Sequence, residues 1–127
     1  MSFIDTTGPD RVSAISTAGT SVSHNTNTLI SWSSAEWNVN TMWSAGDPSR
    51  VTFTRAGTYL ITAAVKYTSN ATGFRRFEIR KNAAGNVASG TLMFGIHIPA
   101  ASTISTSLCG SRYIQFSAAD YIELWTT

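Results

Sequence analysis

The sequence predicts an all-β domain, either an antiparallel two-sheet sandwich or a closed barrel. Three observations carry that expectation. Ser and Thr are frequent while Lys and Glu are scarce, and no stretch repeats apolar residues at helical spacing for three turns. Apolar and polar residues instead alternate with period two in several runs. Turn chemistry falls between those runs, at Ala18-Gly19, Gly46-Asp47-Pro48-Ser49, Ala56-Gly57, Asn70-Ala71-Thr72-Gly73, Asn82-Ala83-Ala84-Gly85-Asn86 and Ala118-Ala119-Asp120.

In chain order, residues 11–17 and 28–33 read as the first strands. Val51 and Phe53 then alternate with Thr52 and Thr54, and Tyr59, Ile61, Ala63, Val65 and Tyr67 line one face of the next run. Phe77 and Ile79 alternate with Arg76, Glu78 and Arg80, and residues 87–98, 103–116 and 121–125 complete the set. Eight or so strands that each bury one face require two facing sheets or closure into a barrel. The absence of an internal repeat argues against a propeller or a β-helix.

The chain has 127 residues, 43% hydrophobic and 13% charged, which fits one folded domain and excludes the composition of a disordered chain. Nine basic against seven acidic side chains make no polybasic face, so nucleic acid is not an expected partner. No run approaches about 18 uninterrupted apolar residues, and the first residues lack a basic and then apolar leader, so neither membrane insertion nor export is expected. The single Cys109 cannot form a disulfide within the chain and is expected as a buried small hydrophobe, as suits a protein made in a reducing cytoplasm.

Catalytic chemistry finds little support. The seven carboxylates are scattered, and those of Asp10, Asp47 and Asp120 sit in turn-like sequence where backbone capping accounts for them. His24 and His97 have no zinc-site spacing, calcium finds no Asp cluster, and a Cys109 nucleophile assisted by His97 lacks any local signature. A glycan hydrolase would need a convergent carboxylate pair. The expectation is a protein that is not an enzyme and holds no cofactor or metal. Trp32, Trp37 and Trp43 lie close together, which suits either sugar stacking or core packing.

The segments Gly57-Thr58-Tyr59-Leu60-Ile61, Gly73-Phe74-Arg75 and Ile79-Arg80-Lys81-Asn82 resemble the jelly-roll superfamily of complement globular heads and tumour necrosis factor. Upstream, Glu36-Trp37-Asn38, Met42-Trp43 and Pro48-Ser49-Arg50-Val51-Thr52 are similar to the phage branch of that superfamily, found in tail receptor-binding and virion surface proteins. Ala118-Ala119-Asp120-Tyr121-Ile122-Glu123-Leu124 also matches, with Ala119 where a Gly is usual. The resemblance spans residues 10–125 and implies a ten-stranded jelly roll, a homotrimer about an apolar threefold axis, and no catalysis.

It further implies a phage structural protein on the virion surface, made in the host cytoplasm, with other copies of itself and virion proteins such as capsid as partners. Capsid decoration or a head spike is the first expectation. A tail adhesin recognising host surface glycan is the alternative. Tyr59, Ile61, Tyr67, Arg75, Tyr113 and Phe116 are the candidates for the trimer contact. Trp43, Asn70, Arg76, Arg80 and Asn86 are those for surface or ligand contact, with residues 44–49, 70–73 and 82–86 as the displayed loops.

Residues 10–127 form the jelly-roll domain in this reading, and residues 1–9 form an N-terminal arm whose Phe3 and Ile4 are candidates for particle attachment. Members of the superfamily continue past the position of Trp125 to a last strand that lies inside the sheet, between the first strand and the third hairpin. The sequence here stops at Thr127, which leaves that slot vacant. Ser2-Phe3-Ile4-Asp5-Thr6, joined to the first strand by Thr7-Gly8-Pro9-Asp10, is the candidate to fill it as a permuted or exchanged strand, and a last strand lying beyond a shortened sequence is the third solution.

Overall fold

A computed structural model describes residues 10–127. Nine strands occur among them: β1 (Val12–Ile15), β2 (Thr28–Leu29), β3 (Ser34–Asn38), β4 (Arg50–Thr52), β5 (Gly57–Tyr67), β6 (Phe74–Lys81), β7 (Thr91–Pro99), β8 (Thr106–Phe116) and β9 (Tyr121–Thr126). Every pairing is antiparallel. β9 is the centre of a five-stranded sheet, with β6 and then β7 on one side and β2 and β4 sharing the other. Its residues explain the position: Ile122, Glu123, Leu124, Trp125 and Thr126 are all buried, as both faces of a central strand must be.

Across the core lie two separate two-stranded ribbons, β1 with β3 and β5 with β8. The β5–β8 ladder runs without a break from Gly57 opposite Phe116 to Tyr67 opposite Thr106. Alternation then assigns the faces. Tyr59, Ile61, Ala63, Val65 and Tyr67 turn inward, where they pack against buried Phe53, Phe77, Ile79, Leu108, Ile114, Phe116 and Leu124. The Phe53 and Phe116 rings stack with centroids 3.8 Å apart, and Tyr59 meets Phe53 edge-on at 4.7 Å.

Two buried carboxylates tie neighbouring strands and loops together. Glu123 is 1% exposed, opposes Arg50 across the β4–β9 ladder at 3.4 Å, and accepts hydrogen bonds from the Gly85 N–H and the Trp125 indole. Asp10 accepts hydrogen bonds from Asn40, Thr54, Arg55 and Tyr59, which fixes the start of β1 beside the start of β5. A buried carboxylate is tolerated only when its lone pairs are filled in this way.

Several expectations need correction. The run 28–33 leaves the sheet after Ile30, because the next inward residue, Trp32, donates its N–H to Pro48 instead. Residues 87–89 form a 3-10 turn, capped by the Asn86 side chain, so β7 begins only at Thr91. β8 begins at Thr106, and β3 has no counterpart in the expected set. Cys109 is exposed, since it lies between inward Leu108 and Gly110 on the outer face of β8. Ala119 sits at φ 71°, the left-handed conformation in which Gly carries no Cβ penalty.

Candidate interaction surfaces

The outer face of the β5–β8 ribbon is a continuous and nearly uncharged surface. Thr58, Leu60, Thr62, Ala64 and Lys66 on β5 oppose Gln115, Tyr113, Ser111, Cys109 and Ser107 on β8. All of these are exposed except Leu60, which is half-buried, and Lys66 carries the only formal charge among them. Tyr113 is 63% exposed. Small hydroxyl and apolar side chains around a protruding tyrosine lose little conformational entropy and little charge solvation when covered, which suits a protein contact.

The trimer-contact candidates divide accordingly. Phe116 is 2% exposed and belongs to the core, and Tyr59 and Ile61 pack inward against it, so their place at a subunit contact is corrected. Tyr67 also turns inward, where its hydroxyl hydrogen-bonds the Arg76 carbonyl and Thr126. Burial pushes the Tyr67 phenol above its ordinary value. Only Tyr113 keeps an outward functional group, because Arg75 shares the face of β6 that carries inward Phe77 and Ile79 and lies 5.8 Å over the Tyr67 ring. The error was one of parity, because a strand's inward aromatic row and its outward row look alike until the partner strand is known.

The ligand-contact candidates are mostly engaged within the fold. Trp43 is 9% exposed, with its indole N–H donated to the Pro48 carbonyl, and is corrected from a surface stacking residue to a core one. Arg80 bonds Glu78 at 2.8 Å and the Gly90 carbonyl, while Arg76 reaches Asn27, Thr127 and Glu78. Arg75 hydrogen-bonds the carbonyls of Asn70, Thr72 and Phe74 and so staples its own loop. Asn86 spends its side-chain oxygen on the Ala88 N–H, and Asn70 spends its own on Thr72. Lys81 lies 3.9 Å from Asp120, whose carboxyl is held below its usual value by the Asn82 side chain and the Ser117 N–H.

The three displayed loops do not share one rim. Asn70 donates its N–H to Ala101 and Ala100 donates to Gly73, which joins loops 68–73 and 100–105 at one end of the sandwich. Loop 82–86 lies at the far end of β6, where Asn82 bonds Asp120 and Tyr121, and it folds back toward Arg50 through Glu123. The eight residues of β6 separate the two ends by about 26 Å. The first end carries mainly Ser, Thr, Asn and Ala, with Ile104 exposed by 67%. The sequence reading placed Ile104 in a strand over 103–116, whereas it stands in the loop before β8 and gave no sign of its exposure.

Cys109 and His97 lie on opposite outer faces. Cys109 opposes Ala64 on the outside of the ribbon, whereas His97 opposes Arg76 on the outside of the five-stranded sheet, so the two cannot meet across the core. Among the described residues no three His, Cys, Asp or Glu side chains gather as metal ligands would, and no helix is long and apolar enough to cross a membrane. Phe3 and Ile4 lie outside the described residues.

No protein-family model matches the sequence, and no curated protein is similar to it in sequence. Solved structures are similar in shape. The globular domain of zebrafish complement 1qA superposes with a TM-score of 0.71 at 8% identity, over 93% of this chain and 84% of that one. Murine APRIL superposes with a TM-score of 0.68 at 13% identity, over 91% and 81%. Identities this low speak for the fold alone. With its five-stranded sheet facing two ribbons across one aromatic core, the chain has the antiparallel jelly-roll fold shared by the complement C1q globular domain and the tumour necrosis factor family.

Proposed function

We propose that the protein is a non-enzymatic structural module that assembles as a homotrimer and presents its loop ends to a larger particle. The outer face of the β5–β8 ribbon carries this reading. It is two long strands wide, has one charge among ten outward residues, and presents Tyr113 at its middle. A surface that stays in water has no need to be so poor in charge. The chain mass is 13.7 kDa, and light scattering at micromolar concentration is expected to return three times that value. A single chain mass across the accessible concentrations overturns the assembly.

The particle is read as a phage virion from the similarity of the segment around Trp37, Trp43 and Pro48 to virion surface proteins. Capsid decoration is favoured over a glycan-binding adhesin by a specific observation. Of the residues on which sugar recognition would rest, Trp43 is buried and Arg75, Arg76, Arg80 and Lys81 are bonded within the chain, which leaves Trp37, 46% exposed, as the one open indole of the three neighbouring tryptophans. Saturable binding to empty capsids, with no signal on a glycan array, is the outcome this reading requires.

A further inference from the structure

The two ends of the sandwich differ in charge. Where β1, β5 and β7 finish and β2, β6 and β8 begin lie three loops, 16–27, 68–73 and 100–105. None of their residues is Asp, Glu, Lys or Arg, and most are Ser, Thr or Asn. Arg75 and Arg76, at the start of β6, turn back into the chain, onto the Asn70 and Thr72 carbonyls and onto Asn27 and Thr127. The opposite end gathers the ion pairs Arg55–Asp10 and Lys81–Asp120.

The uncharged loops hold one another in place. The Asn70 N–H donates to the Ala101 carbonyl at 2.8 Å and the Ala100 N–H to the Gly73 carbonyl at 3.2 Å. Gly73 sits at φ 75°, and a Cβ there would fall 2.7 Å from the His24 ring, so loop 16–27 closes directly on loop 68–73. Asn70 closes its own turn by accepting the Thr72 N–H at 2.8 Å. Loops fixed in this way have little conformational entropy left to lose on contact. On them stands Ile104, at 67% the most exposed large apolar side chain among the described residues.

On the reading that the module docks on a larger particle, we propose that it docks through this end, against an uncharged protein surface with an apolar pocket for Ile104. Covering these loops strips no charged side chain of its water, whereas covering the opposite end would desolvate Arg55 and Lys81. The hydroxyl and amide groups around Ile104 both donate and accept, so neutral polar groups of a protein satisfy them at the rim while the isoleucine is buried at the centre. A sugar is the poorer fit, because the three loops hold no Trp, Tyr or Phe on which a ring could stack.

The test is co-sedimentation of the full chain with empty phage capsids assembled without it, over a range of ionic strength. The affinity is expected to change less than about threefold between about 0.05 M and about 0.5 M salt. Ile104→Lys is expected to weaken binding by at least about tenfold with the oligomer mass and melting temperature unchanged, since the side chain stands in water before docking. Ala118→Lys, at an exposed position of the opposite end, is expected to bind as the parent does. Parent-like binding by Ile104→Lys, loss of binding by Ala118→Lys, or an affinity that collapses with salt overturns the choice of end while the docking itself stands. A glycan-array signal that Ile104→Lys abolishes overturns the protein partner in favour of a sugar. Failure of the parent to bind capsids at any salt overturns the docking itself, and the choice of end with it.

Discussion

Asp10 is buried at the entrance to β1 and is hydrogen-bonded by Asn40, Thr54, Arg55 and Tyr59. Burial alone would raise its pKa, but these bonds and the Arg55 charge outweigh it, and the carboxyl is held below its ordinary value. A depressed pKa stabilises the fold fully above the unfolded value near 4, and that contribution is lost as pH falls through the folded value. Asp10→Asn is therefore expected to cost about 1–3 kcal/mol at pH 7, because the charge opposite Arg55 is lost and one of the two accepting oxygens becomes an NH2 that faces other donors. The difference from the parent should shrink in urea melts between pH 4 and pH 2. A difference that stays constant across that range would show that the charge of Asp10 contributes nothing to folding.

At the scale of elements, the even-numbered residues of β9 and the odd-numbered residues of β6 build the core, and a strand's contribution depends on which neighbours cover it. Leu124 is 2% exposed in the central strand, packed within the same buried cluster as Ile79. Leu92 is 48% exposed near the start of β7, the edge strand of the same sheet. Leu124→Ala is expected to cost about 2–5 kcal/mol and Leu92→Ala less than about 1 kcal/mol by chemical denaturation. Equal losses would mean that the edge strand is covered in solution by something beyond the chain.

For the whole molecule, assembly and stability are coupled if the β5–β8 face is the contact. The melting temperature should then rise with protein concentration, since a trimer is favoured by mass action. Tyr113→Glu with Thr62→Glu places charges at the middle of the face and should return the single-chain mass with far-ultraviolet circular dichroism unchanged. Both side chains point outward, so loss of structure in that variant would locate the face inside the fold and not between copies.

Much of this architecture was legible in the sequence, because alternation and turn chemistry are local. Side chains of one strand point alternately to opposite faces by backbone geometry, so the rows Tyr59 to Tyr67 of β5 and Phe77 with Ile79 of β6 could be read as rows, while which row of β5 faces inward waited on its partners. Pairing and register are different in kind. They join residues far apart in the chain, and whether Arg80 is free or bonded to Glu78 and Gly90, whether Trp43 is open or closed over Pro48, and whether Cys109 faces in or out all depend on them. The two loop ends were inseparable in sequence for the same reason, since only the ladder between β6 and β7 sets Asn70 and Asn82 on opposite sides of the molecule.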